Sequence, residues 1–193
     1  MIITISGVPG SGKSSVAKII SEKLGYGRIY IGALQREIAK QRGITLEQLS
    51  RLEETDPSVD REVDLKIKEA AEKNENIVIE SRTAAGLFRK WKIRKKAVHI
   101  LLKCDLVVSA QRIFKQKKIE GCRKRNEKSA GTEKEQLLDI KERMASESKR
   151  YKKYYGFDCY DERLYDLMVD TTRMTIGETA DAVLGFIKAR SLG

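Results

Sequence analysis

The start of the chain constrains it most. An apolar run, Ile2-Ile3-Thr4-Ile5-Ser6, passes directly into Gly7-Val8-Pro9-Gly10-Ser11-Gly12-Lys13-Ser14. A segment with apolar residues at Val16, Ala17, Ile19, Ile20 and Leu24 follows. The first run reads as a buried strand, and the last has the spacing of a helix laid on a sheet. Between them the octapeptide fits G-x-x-x-x-G-K-[ST], a pattern that average composition produces by accident in about 1% of chains this long or fewer. Glycines let the backbone curl with its N–H groups turned inward, an anion nest at the positive end of a helix dipole. A lysine there sits between β- and γ-phosphates, and the serine after it can ligate Mg²⁺. The expected contacts to a nucleoside triphosphate, with ATP as donor, are therefore Gly7, Val8, Pro9, Gly10, Ser11, Gly12, Lys13, Ser14 and Ser15, with Ser14 as the metal ligand.

The remaining pattern alternates. Strands are expected at Arg28–Ile31, Ile77–Ile79, Ala97–Leu102 and Leu167–Val169. Helices are expected at 14–24, 32–42, 45–52, from Ser58 to about 72, 106–119, 133–155 and 175–189. Thr45 is an N-cap candidate, and Asp56-Pro57-Ser58 has a capping residue followed by proline. The helix after it carries Val59, Val63, Leu65, Ile67, Ala70 and Ala71. Residues 120–131 are polar, basic and glycine-punctuated, and read as a mobile loop. Five strands alternating with helices imply a parallel sheet covered on both faces. With 193 residues this is one α/β domain, a three-layer P-loop NTPase fold.

Composition narrows the function. Lysine and arginine outnumber acidic residues 39 to 28, a net +11 that favours phosphate-bearing partners. No apolar run approaches the ~18 residues of a spanning helix. The N-terminus has no charged n-region of a signal peptide. Three cysteines, Cys104, Cys122 and Cys159, are too far apart for paired metal-ligand motifs and read as reduced thiols, so a cytoplasmic setting is expected. The single histidine, His99, excludes a multi-histidine metal site and reads as a hydrogen-bonded strand residue. A GTPase would need N-K-x-D, which is absent, and a motor or AAA-type ATPase would need more chain. Small-molecule kinases lead the classes that remain.

Further stretches carry a resemblance. These are Gly32-Ala33-Leu34-Gln35-Arg36-Glu37-Ile38-Ala39-Lys40, Glu80-Ser81-Arg82, the run Glu142 to Tyr151, Tyr154-Tyr155-Gly156-Phe157-Asp158 and the run Tyr165 to Thr172. With the P-loop they make the chain resemble, nearly end to end, the nucleoside monophosphate kinases, and among these the short archaeal-type cytidylate kinases. The resemblance implies a five-stranded parallel sheet, a helical NMP-binding insert at about 32–72 and a lid at about 115–150. The core is then 1–31, 73–114 and 151–193. It implies transfer of phosphoryl from ATP, with Mg²⁺, to CMP or dCMP, giving CDP or dCDP. Two departures fall on the acceptor side: Tyr30-Ile31 precede Gly32 where the family has a small residue or serine, and Ser81 replaces the glycine of E-G-R.

By this resemblance Gly32, Arg36 and Arg82 would bind the acceptor, with Arg36 and Arg82 on its phosphate. Glu80 would position Mg²⁺ or orient Arg82. Arg143, Glu147 and Arg150 recur at i, i+4 and i+7 on one helical face. Arg143 and Arg150, with Lys13 and Arg82, are the expected catalytic cations, and Glu147 would hold the two helix arginines. Arg112 and Arg123 are weaker candidates for ATP contacts. Trp91 reads as a packing residue. Asp158, Asp161 and Asp166 would read the acceptor base or cap a strand. A monomer is the default. An adenylate-kinase-like enzyme is one alternative. An RNA- or ribosome-associated P-loop NTPase is another, resting on the net charge and the basic stretches 87–96 and 115–128.

Overall fold

The computed structural model describes residues 1–120 and 131–191. The expected loop at 120–131 therefore lies almost wholly outside the described residues, with Gly121, Cys122, Arg123, Lys124 and Arg125.

Five strands, β1 (Ile2–Gly7), β2 (Gly27–Tyr30), β3 (Ile77–Glu80), β4 (Ala97–Lys103) and β5 (Leu167–Asp170), form one sheet in the order β2-β3-β1-β4-β5. Every pairing is parallel. Strand β1 is buried along its whole length, as a central parallel strand with helices on both faces must be. One layer holds α1 (Lys13–Leu24) and α8 (Ile176–Ser191), which pack with Ile3, Ile5, Val98, Ile100 and Leu102 of the sheet. On the opposite face Ile2, Ile77 and Ile79 pack with α2 (Ile31–Gln41), α3 (Leu46–Glu53), α4 (Ser58–Lys73) and α5 (Ala84–Lys90). The two long helices α6 (Leu106–Glu120) and α7 (Glu133–Tyr155) pack on each other. A 3-10 turn at Glu162–Leu164 precedes β5.

The strand order decides where a ligand can sit. The chain leaves β1 for β2 and β3 on one side, then crosses to β4 and β5 on the other, so the sheet switches direction at β1. The loop after β1 opens into that crevice at the carboxyl edge of the strands.

Local signals fixed several helices where they were expected. Thr45 caps α3 and Thr132 caps α7, each in a reciprocal box with Gln48 and Glu135. Gly156 ends α7 in the left-handed conformation. Asp56 accepts from the Ser58 N–H at 2.8 Å, while Pro57 takes the cap position of α4. Leu65 does not join the buried stripe of α4; it is 64% exposed. Helix α5 was not expected. Ala84 to Phe88 are buried against the sheet, and that packing forms it without a side-chain cap.

The stretch 87–96 is drawn partly inward. Trp91 packs against the core, Lys95 pairs with Glu75 at 3.0 Å, and Lys90 lies over the Tyr155 ring. His99 shares a 2.8 Å hydrogen bond with the Thr4 hydroxyl and meets Phe88 edge-on. Cys104 and Cys159 are buried free thiols. No described helix is long and apolar enough to cross a membrane.

Thr171, just past β5, ties the two halves of the sheet together. Its buried hydroxyl reaches Ser11 O at 3.2 Å and Lys103 O at 3.0 Å. Thr171→Val takes away the hydroxyl that reaches Ser11 O, while Lys103 O keeps the Thr171 N–H at 2.9 Å, and is expected to cost about 1–3 kcal/mol in urea unfolding.

Candidate active site

The loop between β1 and α1 is built as its sequence demands. Gly10 has φ +77°, and a Cβ there would meet Ser109 O at 2.7 Å, so both conformation and space require glycine. Helix α1 has no side-chain N-cap. Among the described residues, the N–H groups of Gly10, Gly12, Lys13, Ser14 and Ser15 donate to no backbone carbonyl. Five donors without acceptors at a helix N-terminus form an anion site. Pro9 to Ser15 line a cleft of about 1210 Å³. That exceeds the roughly 300–1,000 Å³ of a single small-molecule pocket. Gly7 and Val8 lie beneath the loop, where Val8 N–H bonds Leu102 O at 3.3 Å.

Three cations meet at this loop. Lys13 begins α1, Arg82 follows β3, and Arg143 projects from α7; all three line the cleft. One carboxylate holds two of them: Glu147 Oε1 lies 3.0 Å from Arg82 Nη1 and 3.0 Å from Arg143 Nε. Its other oxygen accepts from the Tyr160 hydroxyl at 2.7 Å. Burial pushes the Glu147 carboxyl upward, but the two guanidiniums and the phenol override it and hold it at about 2. Lys13 is drawn down to about 7, first by burial and then by the repulsion of Arg82, with Arg143 adding and Glu80 and Glu147 opposing.

Beside Lys13, the Ser14 hydroxyl donates to Glu80 Oε1 at 2.5 Å. Glu80 Oε2 is buried and has no hydrogen-bond partner. An all-oxygen pair with an unused carboxylate oxygen fits a hard cation such as Mg²⁺. No group of three or more His, Cys, Asp or Glu side chains among the described residues is placed to hold a metal, so phosphate oxygens and water would complete such a shell.

The insert side carries Arg36, which lines the cleft, stacks on the Tyr30 ring with its guanidinium 4.9 Å from the centroid, and donates to the Tyr30 hydroxyl. The same ring explains Gly32: a Cβ there would lie 2.7 Å from Tyr30 Cε2. The large residue before the glycine is thus accommodated by the glycine itself. Ser81 bonds the Thr83 N–H and hydroxyl, both at 3.1 Å, turning the chain after β3.

Arg150 is not with the other cations. Its side chain is 1% exposed and bonds Glu53 of α3, with its Nε 3.0 Å from Asp60 of α4. Helical spacing places Arg143 and Arg150 on one face but about 10 Å apart along the axis. The near end faces the cleft and the far end faces α3 and α4. Glu147 accordingly holds Arg82 and Arg143, not Arg150. Asp158 bonds Ser148, Asp161 caps the 3-10 turn and pairs with Arg163, and Asp166 accepts from His99 N–H and pairs with Arg190, so all three serve the scaffold. Arg112 lines the cleft while its Nη2 donates to Thr171 O and Thr172 O at 2.9 and 3.2 Å.

Residues 2–173 match the model of the cytidylate kinase-like family. The chain belongs to that family. It is 39% identical over 173 residues to the cytidylate kinase of Methanocella arvoryzae, covering 90% of this chain and 89% of that one. It is 34% identical over 192 residues to that of Sulfolobus acidocaldarius, covering 100% and 97%. Among solved structures, an uncharacterized protein from Eubacterium ventriosum superposes with TM-score 0.70 at 18% identity, covering 97% of this chain and 98% of that chain. A shikimate kinase from Bacteroides thetaiotaomicron gives 0.63 at 14%, with the same coverage. These last two similarities concern the fold alone: the α/β P-loop kinase architecture expected from the sequence.

Sequence reading missed Tyr160 and Thr171, which act across long chain separations. It also missed Asp60 and Asp64, although both lie in the apolar stripe of α4, where an acid is unusual.

Arg150→Met leaves Glu53 and Asp60 buried without their cation and is expected to lower unfolding free energy by about 3–5 kcal/mol. Arg143→Met, about one-third exposed, leaves Glu147 with Arg82 and Tyr160 and is expected to cost clearly less than Arg150→Met, about 1–2 kcal/mol. Lys13, deprotonated in the free protein above about pH 7, regains its proton beside a polyanion. Calorimetry at about pH 8 in buffers of different ionisation heat is expected to show uptake of nearly one proton per triphosphate bound, lost in Lys13→Met.

Proposed function

We propose that this chain transfers the γ-phosphoryl group of ATP to CMP or dCMP, giving ADP and CDP or dCDP. The observation that carries the reading is the meeting of Lys13, Arg82 and Arg143 at the phosphate loop of a cytidylate kinase-like chain. The names of its relatives supply the acceptor. In this reading the helices between β2 and β3, about 32–72, form the monophosphate-binding insert, and the segment 115–150 with Arg143 forms the lid.

The free N–H groups of Gly10, Gly12, Lys13, Ser14 and Ser15 take the donor's phosphates, with Lys13 between the β- and γ-groups. Arg36 and Arg82 grip the acceptor phosphate, since a planar fork suits bidentate binding of phosphate oxygens. Arg82 and Arg143, fixed by Glu147, face the charge that spreads over the transferring group. The acceptor oxygen is already anionic, so no general base is needed, and His99 stays in the sheet. Ser14 and Glu80 would hold Mg²⁺, which would supply positive charge to offset that of the phosphate groups. Catalysis is then alignment and charge stabilisation without a covalent intermediate.

An ADP-release assay with ATP, Mg²⁺ and, in parallel, CMP, dCMP, UMP, AMP and GMP tests this against a blank without acceptor. Turnover with CMP or dCMP over a silent blank is expected, and Lys13→Ala is expected to lower it by about 10³-fold or more. Equal slow ADP release with and without acceptors would contradict the reading.

A further inference from the structure

The cleft is lined by cations around the phosphate loop and by two acids on α4. The charges that act most strongly on Lys13 are Arg82, Glu80, Arg143 and Glu147. On α4, Asp60, Val63 and Asp64 fall at i, i+3 and i+4, so one stripe of the helix presents acid, methyls and acid to the same cleft. Both acids are buried, at 3% and 6% exposure. Asp60 accepts no hydrogen bond from any described residue, although Arg150 Nε lies 3.0 Å from its Oδ2. Asp64 lies beside the Thr83 and Tyr155 hydroxyls. Arg150 is shared with Glu53, so two buried carboxyls face one guanidinium. Burial, together with Glu53 and Asp64, raises Asp60 to about 7, against the pull of Arg150; burial likewise raises Asp64 to about 6. Asp60 Oδ2 is thus short of a donor, while Asp64 has two neutral hydroxyls beside it and, among the described residues, no cation paired with it.

A bound monophosphate cannot turn its phosphate toward these acids, because the cations hold that end. The acids therefore face the opposite end of the acceptor, and Val63 with Leu46 gives that end an apolar wall suited to a flat ring. Ionised carboxylates only accept hydrogen bonds, and an amino group donating to them favours that form over the neutral acid. An exocyclic amino group carries two hydrogens and can satisfy two such acceptors. A carbonyl at the same ring position would point lone pairs at both.

We propose that Asp60 and Asp64 are the residues that select the acceptor base, by accepting the two hydrogens of the cytosine 4-amino group and repelling the 4-carbonyl of uracil. This rests on the reading that the chain is a pyrimidine monophosphate kinase, and it adds the residues that choose among pyrimidines.

The test measures kcat/KM for CMP, dCMP, UMP and the ribonucleotide of pyrimidin-2-one, which lacks the amino group. Wild type, Asp60→Asn and Asp64→Asn are compared, with ATP held saturating and the KM for ATP determined separately. Wild type is expected to prefer CMP over the pyrimidin-2-one nucleotide by about 10- to 100-fold, as for a lost buried hydrogen bond. It is expected to reject UMP more strongly still. In each Asn variant the CMP-to-UMP ratio is expected to fall by about tenfold or more, because an amide can turn a donor toward the carbonyl. The CMP-to-dCMP ratio and the KM for ATP stay within about twofold. Parallel losses with CMP and UMP at unchanged ratio would mean a structural role only and would overturn the proposal. A shift in the CMP-to-dCMP ratio instead would assign the acids to the sugar and overturn it as well. Should either variant fail to fold, the wild-type comparison of CMP with the pyrimidin-2-one nucleotide decides: equal kcat/KM refutes an amino-group contact. A wild-type protein silent with every monophosphate would remove the kinase reading itself, a result distinct from an active enzyme that ignores the amino group.

Discussion

One buried carboxylate makes the site possible. Lys13, Arg82 and Arg143 repel one another where the phosphate loop opens, and Lys13 records the strain in a pKa drawn down to about 7 by burial and by Arg82. Glu147 sits among them, 2% exposed, with Arg82 and Arg143 on one oxygen and Tyr160 on the other. Buried charge is costly unless it is paired and hydrogen-bonded, and here each oxygen has its partner. The arrangement keeps two guanidiniums aimed in advance, so less ordering remains when phosphate groups arrive. It also leaves the cluster short of negative charge, which polyphosphate supplies.

The fold brings these groups together through topology. Lys13 comes from the loop after β1, Arg82 from the end of β3, and Arg143 and Glu147 from a helix more than 60 residues later. Only the switch in strand direction at β1 gives all of them one crevice. Thr171 and Arg112 then fasten the far edge: Thr171 bonds the phosphate loop, and Arg112 bonds the carbonyls of Thr171 and Thr172. On the insert side Tyr30 does similar work, stacking on Arg36 with its ring edge packed close to Gly32. In both places a conspicuous charged residue is held by a less conspicuous neutral one.

What the sequence revealed follows from how local each signal is. The phosphate loop was readable because its strand, glycines, lysine and helix lie within 24 consecutive residues. The ends of α7 were readable because Thr132 with Glu135, and Gly156, act within one turn. Helix α5 escaped because burial of Ala84 to Phe88 forms it, and burial is a property of the assembled sheet. Arg150 was placed with the cations because helical spacing gives a face but not a partner; Glu53 and Asp60 arrive from another part of the chain. Tyr160 escaped because it reaches Glu147 across the turn at Gly156, 13 residues on. Periodicity predicts what one element presents, and only packing decides what meets it.

The most direct measurement is the pH dependence of kcat/KM for ATP in Glu147→Gln, with unfolding followed on the same samples. Removing this charge takes away a group that supports the protonated form of Lys13 and loosens Arg82 and Arg143. The variant is expected to fold cooperatively, its turnover falling by about 10²-fold or more and its activity being lost at lower pH than in wild type. A folded variant with turnover within about threefold of wild type and an unmoved alkaline limb would contradict it.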